Sequence, residues 1–191
     1  MKKLKLQVQL SVDGFVAGPN GEMDFMTWNM DEELKNYIIE LTDSVDCILL
    51  GRKMTDGFVS YWESVVADPG NPQYAFGKKM IDTAKVVFSK TLAKSTWNNT
   101  VLANGDISEE ISKLKKQSGK DIIVYGGSNF VSNLIRENLI DEYNLFINPA
   151  AIGKGLPIFA GLNEKLNLKL AGSKAYDCGI VVNRYIPAAI K

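Results

Sequence analysis

The chain opens on strict alternation. Leu4, Leu6, Val8 and Leu10 are separated by Lys5, Gln7 and Gln9, and a period of two predicts a strand over residues 3–12. Asp13-Gly14 breaks it, and Pro19-Asn20-Gly21 predicts a turn, because proline presets φ and glycine tolerates positive φ. The period then changes. Leu34, Tyr37, Ile38, Leu41 and Val45 recur three or four residues apart, predicting a helix near 31–45 with one apolar stripe. Asp31, Glu32 and Glu33 fall in its first turn, where the helix dipole favours acids. Cys47-Ile48-Leu49-Leu50 is a continuous apolar run ending at Gly51, as in a strand covered on both faces.

Val86-Val87-Phe88 and Val101-Leu102-Ala103 predict further strands, and no element is assigned between Arg52 and Lys85. Residues 107–118 read as a helix, with Ser108 near its start and Gly119 just past its end. Ile122 to Tyr125 is a second buried strand, closed by Gly126-Gly127. A helix near 128–138 follows, carrying Phe130, Val131, Leu134 and Ile135. Residues 143–147, 165–176 and 180–186 predict strands. Alternating strands and helices followed by strands alone imply an α/β protein, its mainly parallel sheet ending in an antiparallel hairpin.

Composition narrows the class. At 191 residues, with 46% apolar and 23% charged positions, one domain spanning 1–191 is expected. Lysine plus arginine equals aspartate plus glutamate, 22 against 22, so the basic footprint of a nucleic-acid binder or polybasic membrane anchor is missing. There is no histidine, which excludes a histidine triad, base or metal ligand. Cys47 and Cys178 are too few for a thiolate zinc cage, so no metal is expected. Two lysines follow Met1 as in a signal peptide, but strand alternation replaces the apolar segment, and a cytoplasmic protein is expected.

Chemistry concentrates at strand ends, where open α/β sheets bind ligands. Leu50-Gly51-Arg52-Lys53 puts two cations just after a strand, and a guanidinium fork matches phosphate oxygens. Tyr125-Gly126-Gly127-Ser128-Asn129 opens a helix on glycines that let backbone approach a pyrophosphate. Neither the GxGxxG fingerprint nor a P-loop is present. Gln7, Gln9 and Ser11 form a polar file on one face of the first strand. That file is wet if the strand is an edge and faces a cleft if it is central, and chain order leaves both open.

Ser11-Val12-Asp13-Gly14, Leu50-Gly51-Arg52, Val87-Phe88-Ser89-Lys90-Thr91-Leu92, Val124-Tyr125-Gly126-Gly127-Ser128, Leu139-Ile140-Asp141-Glu142 and Gly153-Lys154-Gly155-Leu156-Pro157-Ile158-Phe159 occur in this order. Together they resemble the riboflavin-biosynthesis reductase family (RibD C-terminal domain) of the dihydrofolate reductase superfamily. The resemblance implies a three-layer fold, with helices on both faces of a central sheet of about eight strands. It implies NADPH as hydride donor, a small heterocyclic substrate and a homodimer. It places Val16 and Ala17 at the nicotinamide, Gly51, Arg52 and Lys53 at the 2′-phosphate and pyrophosphate, Ser89 and Lys90 beside the adenosine ribose, and Gly126, Gly127, Ser128 and Asn129 at the pyrophosphate. Met54 stands where dihydrofolate reductases place threonine, with Thr55 next.

A proton must accompany hydride transfer to a C=N bond. By resemblance Glu33, five residues after Trp28, matches the helix carboxylate of dihydrofolate reductases, and Asp13 matches a substrate-side aspartate of the riboflavin-type enzymes. Both are catalytic candidates, with Gln9 and Trp28 on the substrate side. The plain alternatives are a dipole-favoured acid for Glu33 and a cap on the Gly14 turn for Asp13. Trp62 and Trp97 are expected to be packing or surface aromatics. The implied activity is oxidoreductase, acting on CH–OH or CH–NH groups and resembling 5-amino-6-(5-phosphoribosylamino)uracil reductase. The alternatives are dihydrofolate reduction, with Arg136 or Arg184 gripping a substrate tail, and a non-catalytic NADPH-binding module. The zinc deaminase half of bifunctional riboflavin enzymes needs H-x-E, which a chain without histidine does not carry.

Overall fold

A computed structural model describes residues 1–188. The elements are β1 (Leu4–Leu10), β2 (Phe15–Ala17), α1 (Glu32–Asp43), β3 (Val45–Gly51), α2 (Arg52–Val66), α3 (Tyr74–Asp82), β4 (Ala84–Phe88), β5 (Thr100–Ala103), α4 (Ile107–Lys116), β6 (Asp121–Val124), α5 (Ser128–Arg136), β7 (Glu142–Ile147), β8 (Leu156–Pro157), β9 (Leu168–Ala175) and β10 (Val181–Pro187). The main sheet has eight strands in the order β5-β4-β3-β6-β1-β7-β10-β9. Neighbours from β5 to β7 are parallel, and β10 pairs antiparallel with both β7 and β9. Outside it, β2 pairs antiparallel with β8.

β1 is therefore central, flanked by β6 and β7. Its alternation sorts two unlike faces. Leu4, Leu6, Val8 and Leu10 pack with Ile122, Val124 and Tyr143, and beneath Ile111 of α4 and Val131, Leu134 and Ile135 of α5. On the other face Ile48, Leu50, Val87 and Ile123 meet Leu41 of α1, Phe58 and Trp62 of α2 and Met80 of α3. Helices thus cover both faces. Side chains such as Leu6, Ile48 and Leu134 are wholly buried, each worth about 1.5–3 kcal/mol relative to exposure.

The stretch given no element holds two helices. α2 contains Gly57 and many β-branched or aromatic residues, all poor helix formers. Packing supplies what propensity lacks. Phe58 stacks on Tyr125, and Trp62 meets Phe76 of α3 edge-on at 5.3 Å. Gly77 permits this approach, since a Cβ there would stand 2.9 Å from Val65 Cγ1.

Candidate functional site

All six parallel strands end on one edge. Next to each other in the middle lie β3 and β6, and the helices that leave them diverge: α2 starts toward one face and α5 toward the other. Such a switch point opens a crevice at the strand ends. The helix starts there differ from those of α1 and α4, while α3, starting after Gln73, also has no side-chain cap. Asp31 accepts from the Leu34 N–H and closes α1, and Asp106 accepts from Ser108 and Glu109 N–H and closes α4. By contrast, α2 and α5 begin at Gly51 and Gly127, with no side-chain cap and no acid in the first turn. Their first N–H groups have no side-chain acceptor.

Both glycine turns depend on missing side chains. A Cβ on Gly51 would sit 2.9 Å from Phe130 Cβ. Gly126 and Gly127 have φ of 152° and 78°, conformations that side chains strain against. A Cβ on Gly127 would lie 3.8 Å from the Gly51 Cα, so the two turns abut. Met54 packs against Gly126, while buried Thr55 turns inward and donates to the Gly51 carbonyl. Ser128 donates to the Pro157 carbonyl, and Asn129 is exposed.

Toward β4 the edge is basic. Arg52 donates to Asp56 at 2.8 Å and lies over the Trp97 ring, 5.3 Å from its centroid. Trp97 packs at the edge of the core, as Trp62 does, and carries Arg52 on its ring as well. Lys53 and Lys90 are exposed. Ser89 is buried, and its Oγ accepts from the N–H groups of Thr91 and Leu92, shaping the loop after β4.

Toward β1 the edge is a small scaffold. The Asp13 carboxylate accepts from the N–H groups of Ile152 and Gly153. The Ser11 hydroxyl, opposed by desolvation and helped by these N–H groups, holds that carboxyl below the usual range. Its cap therefore falls on the loop after β7 rather than on Gly14. Val16 and Ala17 sit in β2, and a Cβ on Gly155 would fall 2.9 Å from Phe15 Cβ.

The polar face of β1 joins a network of buried amides. Asn148, fully buried, accepts from the Thr27 N–H at 2.8 Å and donates to Gln9 Oε1 at 2.9 Å. That relay uses the Gln9 amide oxygen and leaves its NH2 free to donate. Trp28, next to Thr27, is 64% exposed. Deeper in, the Tyr37 hydroxyl donates to Asn144 Oδ1, Asn144 donates to Glu142, and buried Gln7 Oε1 has no partner. Burial pushes the Tyr37 phenol up to about 12, with the Glu142 charge adding to it. Glu33 points elsewhere: it is exposed and ion-paired with Lys174 of β9. Arg136 pairs with Glu137, and Arg184 reaches the Ala171 carbonyl. No cluster of three or more metal-ligating side chains occurs among the described residues, and none of their helices is long and apolar enough to cross a membrane.

The chain matches the RibD C-terminal domain over residues 2–182. It belongs to the RibD C-terminal domain family. Two Bacillus subtilis (strain 168) proteins are similar in sequence: YyaP, 31% identical over 182 residues, covering 94% of this chain and 92% of its own, and YwjB, 25% identical over 175 residues and 92% of each. Among solved structures, a putative riboflavin biosynthesis protein from Shewanella sp. PV-4 superposes with a TM-score of 0.75 at 22% identity, covering 99% of this chain and all of that one. A bifunctional deaminase/5-amino-6-(5-phosphoribosylamino)uracil reductase from Thermotoga maritima gives 0.69 at 18% identity, over 98% of this chain and 57% of that one. The RibD-type, dihydrofolate-reductase-like fold expected from the sequence is the fold found.

Asn144 and Asn148 escaped the sequence reading. Their only signal is an asparagine on each side of the apolar stretch Leu145-Phe146-Ile147.

Proposed function

We propose that this RibD-family protein is an NADPH-dependent reductase of a pyrimidine- or pterin-type heterocycle, of the riboflavin-biosynthesis kind. One observation carries the reading: the order of candidate segments along the edge. Val16 and Ala17 follow β1, Gly126 to Asn129 follow β6, Gly51 to Lys53 follow β3, and Ser89 and Lys90 follow β4. Those strands are neighbours in that sequence, β1-β6-β3-β4. Nicotinamide, pyrophosphate and adenosine would then lie in their chemical order across three strand gaps, about 14 Å.

The residues fit the group. Two abutting glycine turns with uncapped helix starts suit the pyrophosphate, and Arg52, Lys53 and Lys90 suit the phosphate on the adenosine ribose. When bound, NADPH supplies the hydride for a C=N bond. The chain positions the reacting ring. Gln9 offers amide N–H donors whose direction Asn148 sets, and Trp28 offers an exposed apolar face. Asp13 acts as a positioning residue: its charge, stabilised by the Ser11 hydroxyl and two N–H groups, ties the β1–β2 turn to the loop after β7. The proton that accompanies reduction then comes from water, because Asp13 is held ionised and Glu33 is engaged by Lys174.

Dihydrofolate reduction is the weaker reading. It needs a free carboxylate for the pterin and an arginine for the glutamate tail, and Glu33, Arg136 and Arg184 are each engaged elsewhere. The test is calorimetric titration with NADPH and NADH, followed by NADPH oxidation at 340 nm with 5-amino-6-(5-phosphoribosylamino)uracil and with dihydrofolate. NADPH binding with turnover of the uracil alone is expected. Binding of neither nucleotide would remove the reductase reading, and turnover of dihydrofolate alone would move it to the other branch.

A further inference from the structure

Arg52 is not a lone cation at the nucleotide edge. Asp56, one turn further along α2, takes its Nη1 at 2.8 Å with Oδ2. The other oxygen of Asp56, Oδ1, accepts from Trp97 Nε1 at 3.2 Å. Trp97 in turn lies against the guanidinium, 5.3 Å from Cζ to the ring centroid. Three side chains from two segments therefore close a ring of contacts, with one carboxylate at its hub. Asp56 is 61% exposed at its side chain and serves no packing purpose. Its effect is electrostatic: it sets one anionic oxygen on the Arg52 guanidinium, a place that a phosphate oxygen could take.

We infer that Asp56 stands on Arg52 where the 2′-phosphate of NADPH would stand, so that NADPH binds by exchanging one anion for another. Asp56 thereby sets how strongly NADPH is preferred over NADH. The inference rests on the cofactor reading above and adds a specificity-determining residue to it. Binding of the 2′-phosphate at Arg52 places a dianion near the Asp56 carboxylate and competes with it for the guanidinium. NADH, which has no 2′-phosphate, leaves the contact intact and incurs neither cost. Four of the five guanidinium N–H groups remain available to an anion, so the exchange needs only a rotation of the arginine over the Trp97 face.

The experiment measures Kd for NADPH and NADH by calorimetry on the full chain, in wild type, Asp56→Asn, Asp56→Ala and Asp82→Asn. Asp82 also makes an exposed i,i+4 pair, with Lys78 at the other end of the sheet, and controls for net charge. Both Asp56 variants should tighten NADPH about threefold to tenfold, leaving NADH within twofold. Asp82→Asn should leave the preference ratio unchanged. An unchanged ratio in both Asp56 variants, with wild type still preferring NADPH, would overturn the role of Asp56 and spare the cofactor. The same ratio shift in Asp82→Asn would also overturn it, as a bulk charge effect. Wild type binding neither nucleotide would overturn both.

Discussion

Gly51→Ala is the sharpest test of the abutting turns. Gly51 has φ −74° and ψ 141°, backbone that alanine adopts freely, so no conformational strain enters. The whole cost is steric. The added Cβ would stand 2.9 Å from Phe130 Cβ and 3.3 Å from Cγ, where carbon atoms prefer about 3.5–4.0 Å. Something must move by about 0.6–1.1 Å. Gly51 ends a buried strand, and Phe130 is held against Phe88, ring centroids 5.0 Å apart, so neither side yields freely. Overpacking of this kind costs about 1–3 kcal/mol.

A double-mutant cycle in urea, followed by far-UV circular dichroism, isolates that term. The partner must be Phe130→Gly, because alanine would keep the Cβ that collides. Phe130→Gly has its own cost, from lost ring contacts and glycine inside a helix, which the cycle subtracts. Gly51→Ala should cost about 1–3 kcal/mol in wild type and close to zero with Phe130→Gly. Phe130→Ala, which frees the helix but keeps the Cβ, should give partial relief. Equal cost in wild type and in Phe130→Gly would refute the account, since the clash would then lie elsewhere.

Two further outcomes follow from buried polar groups. Asn148→Leu should lower the unfolding free energy from urea titration by about 2–4 kcal/mol, with unchanged slope, because the Thr27 N–H and the Leu10 and Phe146 carbonyls lose a partner; a loss under about 0.5 kcal/mol would mean that water replaces it. Lys85 of β4, 2% exposed, donates to the Ile81 and Thr83 carbonyls at the end of α3, and burial lowers its amine to about 8. Between that value and 10.5 the unfolded chain binds more protons than the folded one, so stability should rise with pH across this window, by about 3 kcal/mol. The wild-type minus Lys85→Met difference in urea stability should show that rise, and a flat difference would mean that the amine titrates normally.

What the sequence revealed depended on whether an element carries its own reason for existing. β1 and β3 do: one alternates strictly, and the other is an apolar run closed by glycine. α1 does, with a stripe and Asp31 as its cap. α2 does not. Gly57, Thr55, Val59, Tyr61 and Val65 are weak helix formers, and the helix exists because Phe58 and Trp62 find Tyr125 and Phe76. The central place of β1 was equally hidden. Crossovers set it, and the alternation of Gln7 and Gln9 is the same at an edge or in the middle.

The candidate site divides along the same line. Each glycine turn was visible locally, as strand, glycine, then helix. That a Cβ on residue 127 would lie 3.8 Å from the Gly51 Cα is a product of β6 inserting beside β3, which no local pattern encodes. One local signal did point past packing. At α1 and α4 the chain spends an aspartate on the open N–H groups, which stabilises a helix start by about 1 kcal/mol. At α2 and α5 it forgoes that gain and places glycine instead. α3 also starts without a cap, after Gln73, but only at α2 and α5 is the capping place a glycine, and the fold brings those two together on one edge, where their first N–H groups would suit an anion.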